Sequence, residues 1–150
     1  LDRGPWTLDS MPIDIVLPNP PPPDMKASVQ AALHHIEEYF SPQETDAFLV
    51  APADMPALSA AIIDRLIERH RTSDSGKILV PTLHVKQGHP VLFPWSFAIQ
   101  VHRLAANEGL KAIVERQQAL EIPCDDIVLP GQQPFRDLDT PAEYQGLTGE

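Results

Sequence analysis

The chain is poor in cysteine, in basic residues and in long apolar runs, and each shortage excludes a class of protein. Its single cysteine, Cys124, cannot form an intramolecular disulfide scaffold or a cysteine-cluster zinc site. Eleven basic residues stand against 21 acidic ones, whereas a nucleic-acid or anionic-membrane surface would be basic. No apolar run approaches the ~18 residues of a membrane span. We therefore expect no nucleic-acid partner, no membrane partner and a reduced, cytoplasmic compartment.

Proline is abundant instead, with 17 residues among 150, or about 11% against a general usage of ~5%. A hydrophobic fraction of 43% is ordinary for a globular chain, and the length suits one domain with a core. The glycine patterns of P-loop, dinucleotide-binding and hydrolase sites do not occur. These observations predict a globular domain outside the commonest nucleotide-binding and hydrolase classes.

Short apolar runs alternate with longer segments of helical periodicity. The predicted strands are residues 13–17, 47–51, 78–83 and 90–93, with weaker candidates at 120–122 and 127–129. The predicted helices are residues 25–40, 59–71 with Ser59 as the cap, 95–104 and 109–116, followed by a short one from Thr140. The alternation predicts an α/β fold with a mostly parallel sheet. The prolines around 18–23 indicate a stiff loop after the first strand.

Asp54 directly follows the apolar run at 47–51. Ligands of open parallel sheets bind beyond the carboxyl ends of the strands, so this position favours a functional carboxylate. Pro52 and Pro56 fix their own φ angles and stiffen the loop around it. The functional interpretation is a ligand for a hard cation, and the structural one is an ordinary loop aspartate ahead of the helix capped by Ser59.

Asp137 and Asp139 are two residues apart and would point the same way in an extended segment. Thr140, Pro141 and Glu143 also form the pattern of a capped helix start. The two interpretations are compatible, because a capped helix start would hold Asp139 in place. Two carboxylates together with substrate phosphates are the usual ligands of Mg²⁺.

Gly88, His89 and Pro90 could present an imidazole at a turn, although a lone histidine in such a setting is more often structural. The other five histidines show no metal-ligand spacing. Cys124 has no activating neighbour in sequence, so we expect no nucleophilic role for it.

Four segments occur in an order that is similar to one known family. They are Asn19-Pro20 with Met25-x-x-Ser28, PADMP at 52–56, GHPVLF at 88–93, and DLDTPxEY at 137–144. Together they resemble the MobA-like NTP transferase family and, within it, the molybdopterin cytidylyltransferase (MocA-type) branch. The resemblance runs from about residue 13 to 147, so we expect one domain over residues 1–150, with 1–12 irregular.

The resemblance implies a Rossmann-like three-layer nucleotidyltransferase fold, the nucleotide-diphospho-sugar transferase fold. It also implies Mg²⁺-dependent transfer of a nucleoside monophosphate, from CTP more than GTP, to a phosphorylated small-molecule acceptor such as molybdopterin, with release of pyrophosphate. The residues that it assigns are Asp54 and Asp139 as catalytic magnesium ligands, Asn19, Ser28 and Asp54 at the nucleotide, and Gly88, His89, Pro90 and Lys111 at the acceptor.

The chain also departs from the family pattern. The family opens with a strand and a glycine-rich loop carrying an arginine and a lysine that cradles the triphosphate, and residues 1–12 do not match it. We therefore expect the first βα unit to lie upstream of Leu1. Asp24 stands where the family usually has glycine, and Gln87 where an arginine commonly precedes Gly-His-Pro.

Two alternatives follow from these departures. The chain could be a degenerate, non-catalytic module that keeps the fold and serves assembly or cofactor hand-off. It could also carry out the same chemistry on a sugar phosphate, because fold alone does not determine the acceptor.

Overall fold

The computed structural model of the protein describes residues 13–55, 57–140 and 142–143. Helices and strands are interspersed along it, which confirms the α/β class. The helices are α1 (Met25–Phe40), α2 (Ala60–Thr72), α3 (Ala98–His102), preceded by a 3₁₀ turn (Trp95–Phe97), and α4 (Leu110–Arg116). The strands are β1 (Ala47–Val50), β2 (Leu79–Leu83), β3 (Lys86–Gln87), β4 (Val91–Pro94) and β5 (Leu120–Pro123).

The two long helices begin at side-chain caps. Asp24 caps α1, because its carboxylate accepts a hydrogen bond from the Ala27 N–H at 2.7 Å. Ser59 caps α2 and accepts from the Ile62 N–H at 3.4 Å. Each cap satisfies an N–H group that the first helical turn leaves free. The prediction of a helix over 25–40 and of Ser59 as the second cap is confirmed.

The sheet is mixed, which corrects the expectation of a mostly parallel one. Its order is β1–β4–β2, and β2 also pairs with β3 and β5. Only the β2–β5 pairing is parallel among the four that the described strands form. Strands β3 and β4 return along β2 from a tight turn at His84 and Val85, and such a connection is too short for the crossover that a parallel pair requires.

Two apolar clusters cover the two faces of the sheet. Leu79 and Val80 are adjacent on β2, and because side chains alternate along a strand they enter different clusters. The first cluster packs against α1, α3 and α4, and includes Leu33, Val80, Phe93, Val101 and Ile113. The second packs against α2, and includes Ile62, Leu66, Leu79, Leu92, Ile122 and Cys124. The result is the expected three layers of helix, sheet and helix.

The first predicted strand does not form. Residues 13–17 have no strand partner in the described part of the chain, and Ile13, Ile15 and Leu17 are 75–84% exposed. Alternating apolar residues favour an extended segment, but a strand exists only where a neighbour supplies its hydrogen bonds. Among the described strands β1 pairs only with β4, which leaves Leu49 39% exposed at the other edge.

Other expectations change in detail. Residues 127–129 form a turn rather than a strand, and the helix expected at 95–104 is a 3₁₀ turn followed by a single short α-helix. Residues 18–24 contain neither helix nor strand, as the prolines predict. The weak strand candidate at 120–122 is confirmed as β5. No helix of the described residues is both long and apolar enough to cross a membrane.

An arginine on α2 ties that helix to the end of β5. The two terminal nitrogens of Arg65 contact the two carboxylate oxygens of Asp126, and Arg65 also donates to the Pro123 carbonyl at 2.8 Å. A two-point contact of this kind is stronger than a single ion pair. Hydrogen bonding from Arg65 lowers the pKa of Asp126 to about 2.

This contact predicts a specific loss of stability in acid. A carboxyl group whose pKa is lower in the folded state stabilises the fold above its unfolded pKa of about 4, and the contribution disappears as the pH falls towards 2. The substitution Arg65→Gln should therefore flatten the decline of the urea midpoint between pH 5 and pH 2. Arg71→Gln, a substitution with the same charge change at an exposed position of the same helix, should leave the wild-type decline unchanged. Parallel pH profiles for Arg65→Gln and the wild type would contradict the assignment.

Candidate functional site

One backbone hydrogen bond joins the loop after β1 to the segment that follows residue 136. The Leu138 N–H donates to the Asp54 carbonyl at 2.9 Å. Asp54 lies just beyond the end of β1, and Asp139 is the next residue after Leu138. The structure therefore brings the two acidic segments singled out by the sequence to the same edge of the sheet. Both carboxylates are exposed, and within the described residues neither side chain has a hydrogen bond or an ion pair.

A buried neighbour holds the loop around Asp54 in place. The side chain next to Asp54, that of Met55, is only 4% exposed and anchors the loop in the core. Pro56, the second proline expected to stiffen this loop, lies outside the described residues.

The capping box after Asp139 is confirmed. The Glu143 carboxylate accepts hydrogen bonds from the backbone N–H groups of Asp139 and Thr140, both at 2.9 Å. The Thr140 hydroxyl also donates to this carboxylate, and it accepts from the Glu143 N–H at 3.3 Å. These bonds, led by the one from Thr140, lower the pKa of Glu143. They fix the backbone on which Asp139 is mounted.

The side chains at this edge suit Mg²⁺, which takes several ligands from substrate and water. They suit less well a metal ion whose ligands all come from the protein. Across the described ranges there is no group of three or more histidine, cysteine, aspartate or glutamate side chains placed to hold a metal ion. Magnesium in phosphoryl-transfer sites is commonly held by one or two carboxylates, with substrate phosphates and water completing its shell. Asp54 and Asp139, two exposed carboxylates without partners in the described part of the chain, match that requirement.

A cavity of about 610 Å³ lies between α1 and the end of β1. Both Ser28 and Asp54 line it, so two of the three residues predicted at the nucleotide share one space. The Ser28 hydroxyl donates to the Asp24 carbonyl at 3.1 Å, which leaves its oxygen lone pairs for another partner. Asn19 is exposed at the bend before α1 and does not line this cavity.

A second, smaller cavity of about 290 Å³ collects most of the residues predicted at the acceptor. Gly88, His89 and Lys111 line it, whereas Pro90 is buried and is not among its lining residues. Met25 and Val50 line both cavities, so the two spaces are neighbours. Ser28 and Asp54 therefore line one cavity and Gly88, His89 and Lys111 line its neighbour, whereas Asn19 and Pro90 line neither.

Two polar groups of the smaller cavity have few internal partners. His89 Nδ1 is buried and has no hydrogen-bond partner among the described residues. Lys111 is 85% exposed, and its Nζ lies 3.6 Å from Glu115 Oε1, an exposed pair of the kind that contributes little. The Lys111 ammonium can therefore reach a bound molecule, whereas His89 Nδ1 is covered by protein atoms.

The two departures from the family pattern have structural partners. Asp24, in the usual glycine position, is the cap of α1. Gln87, in the usual arginine position, donates from its amide to Glu121 Oε1 at 2.8 Å. The first change stabilises a helix end, and the second removes a positive charge beside the smaller cavity.

Sequence reasoning missed two contacts that shape the site. The Phe135 ring packs directly on Gly88, so that a Cβ atom at Gly88 would overlap it. Lys26 donates to the carbonyls of Ala105 and Ala106, at 2.8 and 3.0 Å, and so ties α1 to the loop before α4. Neither Phe135 nor Lys26 belongs to a periodic apolar pattern. The only available signal was that Phe135 is a lone aromatic residue between Pro134 and Arg136.

The architecture is that of the nucleotide-diphospho-sugar transferase fold. It is similar to the crystal structure of Rv0371c from Mycobacterium tuberculosis H37Rv, with a TM-score of 0.58 and 22% sequence identity over 82% of this chain. The similarity covers 61% of the Rv0371c chain, so the present chain spans less than two thirds of that protein.

A sequence model of the MobA-like NTP transferase domain matches residues 3–121. The chain therefore belongs to the MobA-like NTP transferase family. The match ends before Asp139, so the second acidic segment lies beyond it. No curated protein matches the chain at a significant level.

The contact between Phe135 and Gly88 generates a prediction about the loop at the smaller cavity. Gly88→Ala should lower the thermal midpoint, because the new methyl group must displace the ring, and overpacking of this kind commonly costs about 1–3 kcal/mol. Adding Phe135→Ala should recover part of that loss, since it removes the overlapping atoms. Gly76→Ala is the matched control, because nothing lies within 4 Å of a Cβ atom there. Strictly additive effects of the two substitutions in a double-mutant cycle would argue against the contact.

Proposed function

We propose that this protein is a magnesium-dependent nucleotidyltransferase that transfers a nucleoside monophosphate to a phosphorylated acceptor. Membership of the NTP transferase family implies a nucleoside triphosphate as one substrate. The observation that carries the proposal is the hydrogen bond from Leu138 to Asp54, which brings two acidic segments to one sheet edge. Two neighbouring cavities support the proposal, because they would allow the nucleotide and the acceptor to bind in separate places.

The finer proposal is transfer of CMP from CTP to a molybdopterin-type acceptor. It rests on the four segments that resemble the cytidylyltransferase branch. In this reaction an oxygen of the acceptor phosphate attacks the α-phosphorus of the nucleotide. A new phosphorus–oxygen bond forms, the bond to the β-phosphate bridge breaks, and pyrophosphate leaves.

Asp54 and Asp139 are the proposed magnesium ligands. Bound magnesium would neutralise charge on the transferring phosphoryl group. Met55 and the capping box fix the two backbones that carry these carboxylates, which supports a preorganised site. This local site explains how a chain with a net charge of −10 can bind a triphosphate.

Ser28 and Asn19 are proposed to contact the nucleotide, and Gly88, His89, Pro90 and Lys111 to form the acceptor side. Gly88 would offer its main chain to the acceptor, since the Phe135 ring occupies the space that a side chain would take. The Lys111 ammonium supplies a positive charge for an acceptor phosphate. Pro90 is buried behind the cavity lining, so its role would be to hold His89 rather than to touch the acceptor.

The central test is removal of one proposed metal ligand. Asp54→Asn and Asp139→Asn should each lower turnover by about 100-fold or more, because a neutral amide cannot replace a carboxylate that holds the cation. Thermal stability should stay within about 0.5 kcal/mol of the wild type, since both side chains are exposed. Turnover is measured as pyrophosphate release with each nucleoside triphosphate, with and without Mg²⁺, against molybdopterin and a panel of sugar phosphates.

Asp64→Asn is the matched control, because it removes the same charge from an exposed position of α2 and should leave turnover unchanged. Equal losses of activity and of thermal stability would instead assign Asp54 a structural role. Full-length protein that binds no nucleotide in the presence of Mg²⁺ and releases no pyrophosphate with any acceptor would favour the non-catalytic module.

A further inference from the structure

A third cavity, of about 800 Å³, lies on the other side of the Gly88 loop and belongs to none of the roles above. It opens between the turn at His84 and the loop formed by residues 128–136. None of the residues proposed for nucleotidyl transfer lines it. Any ligand that it binds therefore has its own recognition groups.

The charge of this third cavity is opposite to that of the chain. Two of its lining side chains, Lys86 and Arg136, are permanent cations at neutral pH, and neither forms a salt bridge among the described residues. Its one carboxylate, Asp125, already accepts from the His84 N–H at 2.8 Å and lies 3.0 Å from His84 Nδ1. The two cations outnumber the one carboxylate of the cavity, although the charge of Arg136 also helps to lower the pKa of Glu143. In a protein with a net charge of −10, a locally positive cavity favours an anionic ligand.

The remaining wall is apolar and well supported. Leu83, Val128, Leu129 and Phe135 line the cavity. The loop that carries the last two is ordered by its own hydrogen bonds, from the Leu129 N–H to Gln132 Oε1 at 3.1 Å and from the Gln132 N–H to the Leu129 carbonyl at 3.0 Å. Pro134 in the same loop is buried. A ligand held here would meet a fixed apolar surface as well as two positive charges.

We propose that this cavity binds a small phosphate ester, with the phosphate between Lys86 and Arg136 and the organic part against Leu129 and Phe135. Phosphate presents several oxygens, so it can accept hydrogen bonds from a guanidinium fork and an ammonium group together. The apolar wall selects an ester over inorganic phosphate, because burial of an organic group adds a hydrophobic contribution. The proposal does not depend on the nucleotidyltransferase assignment.

The test is calorimetric titration of the full chain with phenyl phosphate and with inorganic phosphate, in buffer containing EDTA so that no cation occupies the Asp54–Asp139 edge. Phenyl phosphate should bind several-fold more tightly than inorganic phosphate. Lys86→Gln and Arg136→Gln should each weaken phenyl phosphate by roughly tenfold. Leu129→Asn should weaken phenyl phosphate and leave inorganic phosphate unchanged. All three side chains lie at the surface, and a thermal midpoint within about 2 °C of the wild type verifies folding.

Arg71→Gln and Arg103→Gln are the charge-matched controls, and neither should change the affinity, because both residues are exposed and neither lines this cavity. Equal weakening by all four charge substitutions would overturn the proposal, since it would indicate attraction to charge in general. Absence of phenyl phosphate binding would also overturn it. Equal affinity for the two probes would refute selection of an ester and leave an inorganic anion as the ligand.

Discussion

A single main-chain hydrogen bond, from Leu138 to Asp54, is the constraint on which the proposed chemistry depends. It connects the end of β1 with a segment that follows β5, so parts of the chain distant in sequence meet at one edge. Backbone bonds of this kind fix position without using any side chain. The bond uses neither the Asp54 nor the Asp139 side chain, and neither has a partner among the described residues. The buried Met55 side chain holds the loop at Asp54, and the Thr140–Glu143 capping box holds the segment at Asp139.

Local patterns predicted the parts of the fold that local interactions determine. The periodicity of Met25–Phe40, the Ser59 cap and the Thr140–Glu143 capping box depend on residues within one or two helical turns. Strand direction depends on distant partners. The turn that makes the sheet mixed has His84 and Val85 at φ values of 47° and 60°, where asparagine or glycine is usual, so no turn signal was visible. The apolar run at 13–17 was wrongly predicted as a strand, because a strand also needs a distant partner and this run has none among the described residues.

The site was predictable where it followed a strand end and not where it depended on packing between loops. Asp54 followed from its position after β1, and Ser28 lines the same cavity because that cavity lies between α1 and the end of β1. The contact of Phe135 with Gly88 joins two irregular segments and has no periodic signature. That contact also gives the glycine of Gly88-His89-Pro90 a packing reason beside its proposed functional one. A glycine at position 88 can therefore serve the packing of Phe135 and the proposed contact with the acceptor together.

The buried cysteine has a practical consequence. Cys124 lies in the cluster between α2 and the sheet, its Sγ donates to the Ile122 carbonyl at 3.3 Å, and burial raises the pKa of its thiol. Alkylating reagents attack thiolates that solvent can reach, so the folded chain should be almost inert to them. Because the chain contains no second thiol, the rate of modification reports how often α2 and β5 separate. Alkylation of Cys124 can therefore be used to follow the opening of this part of the core.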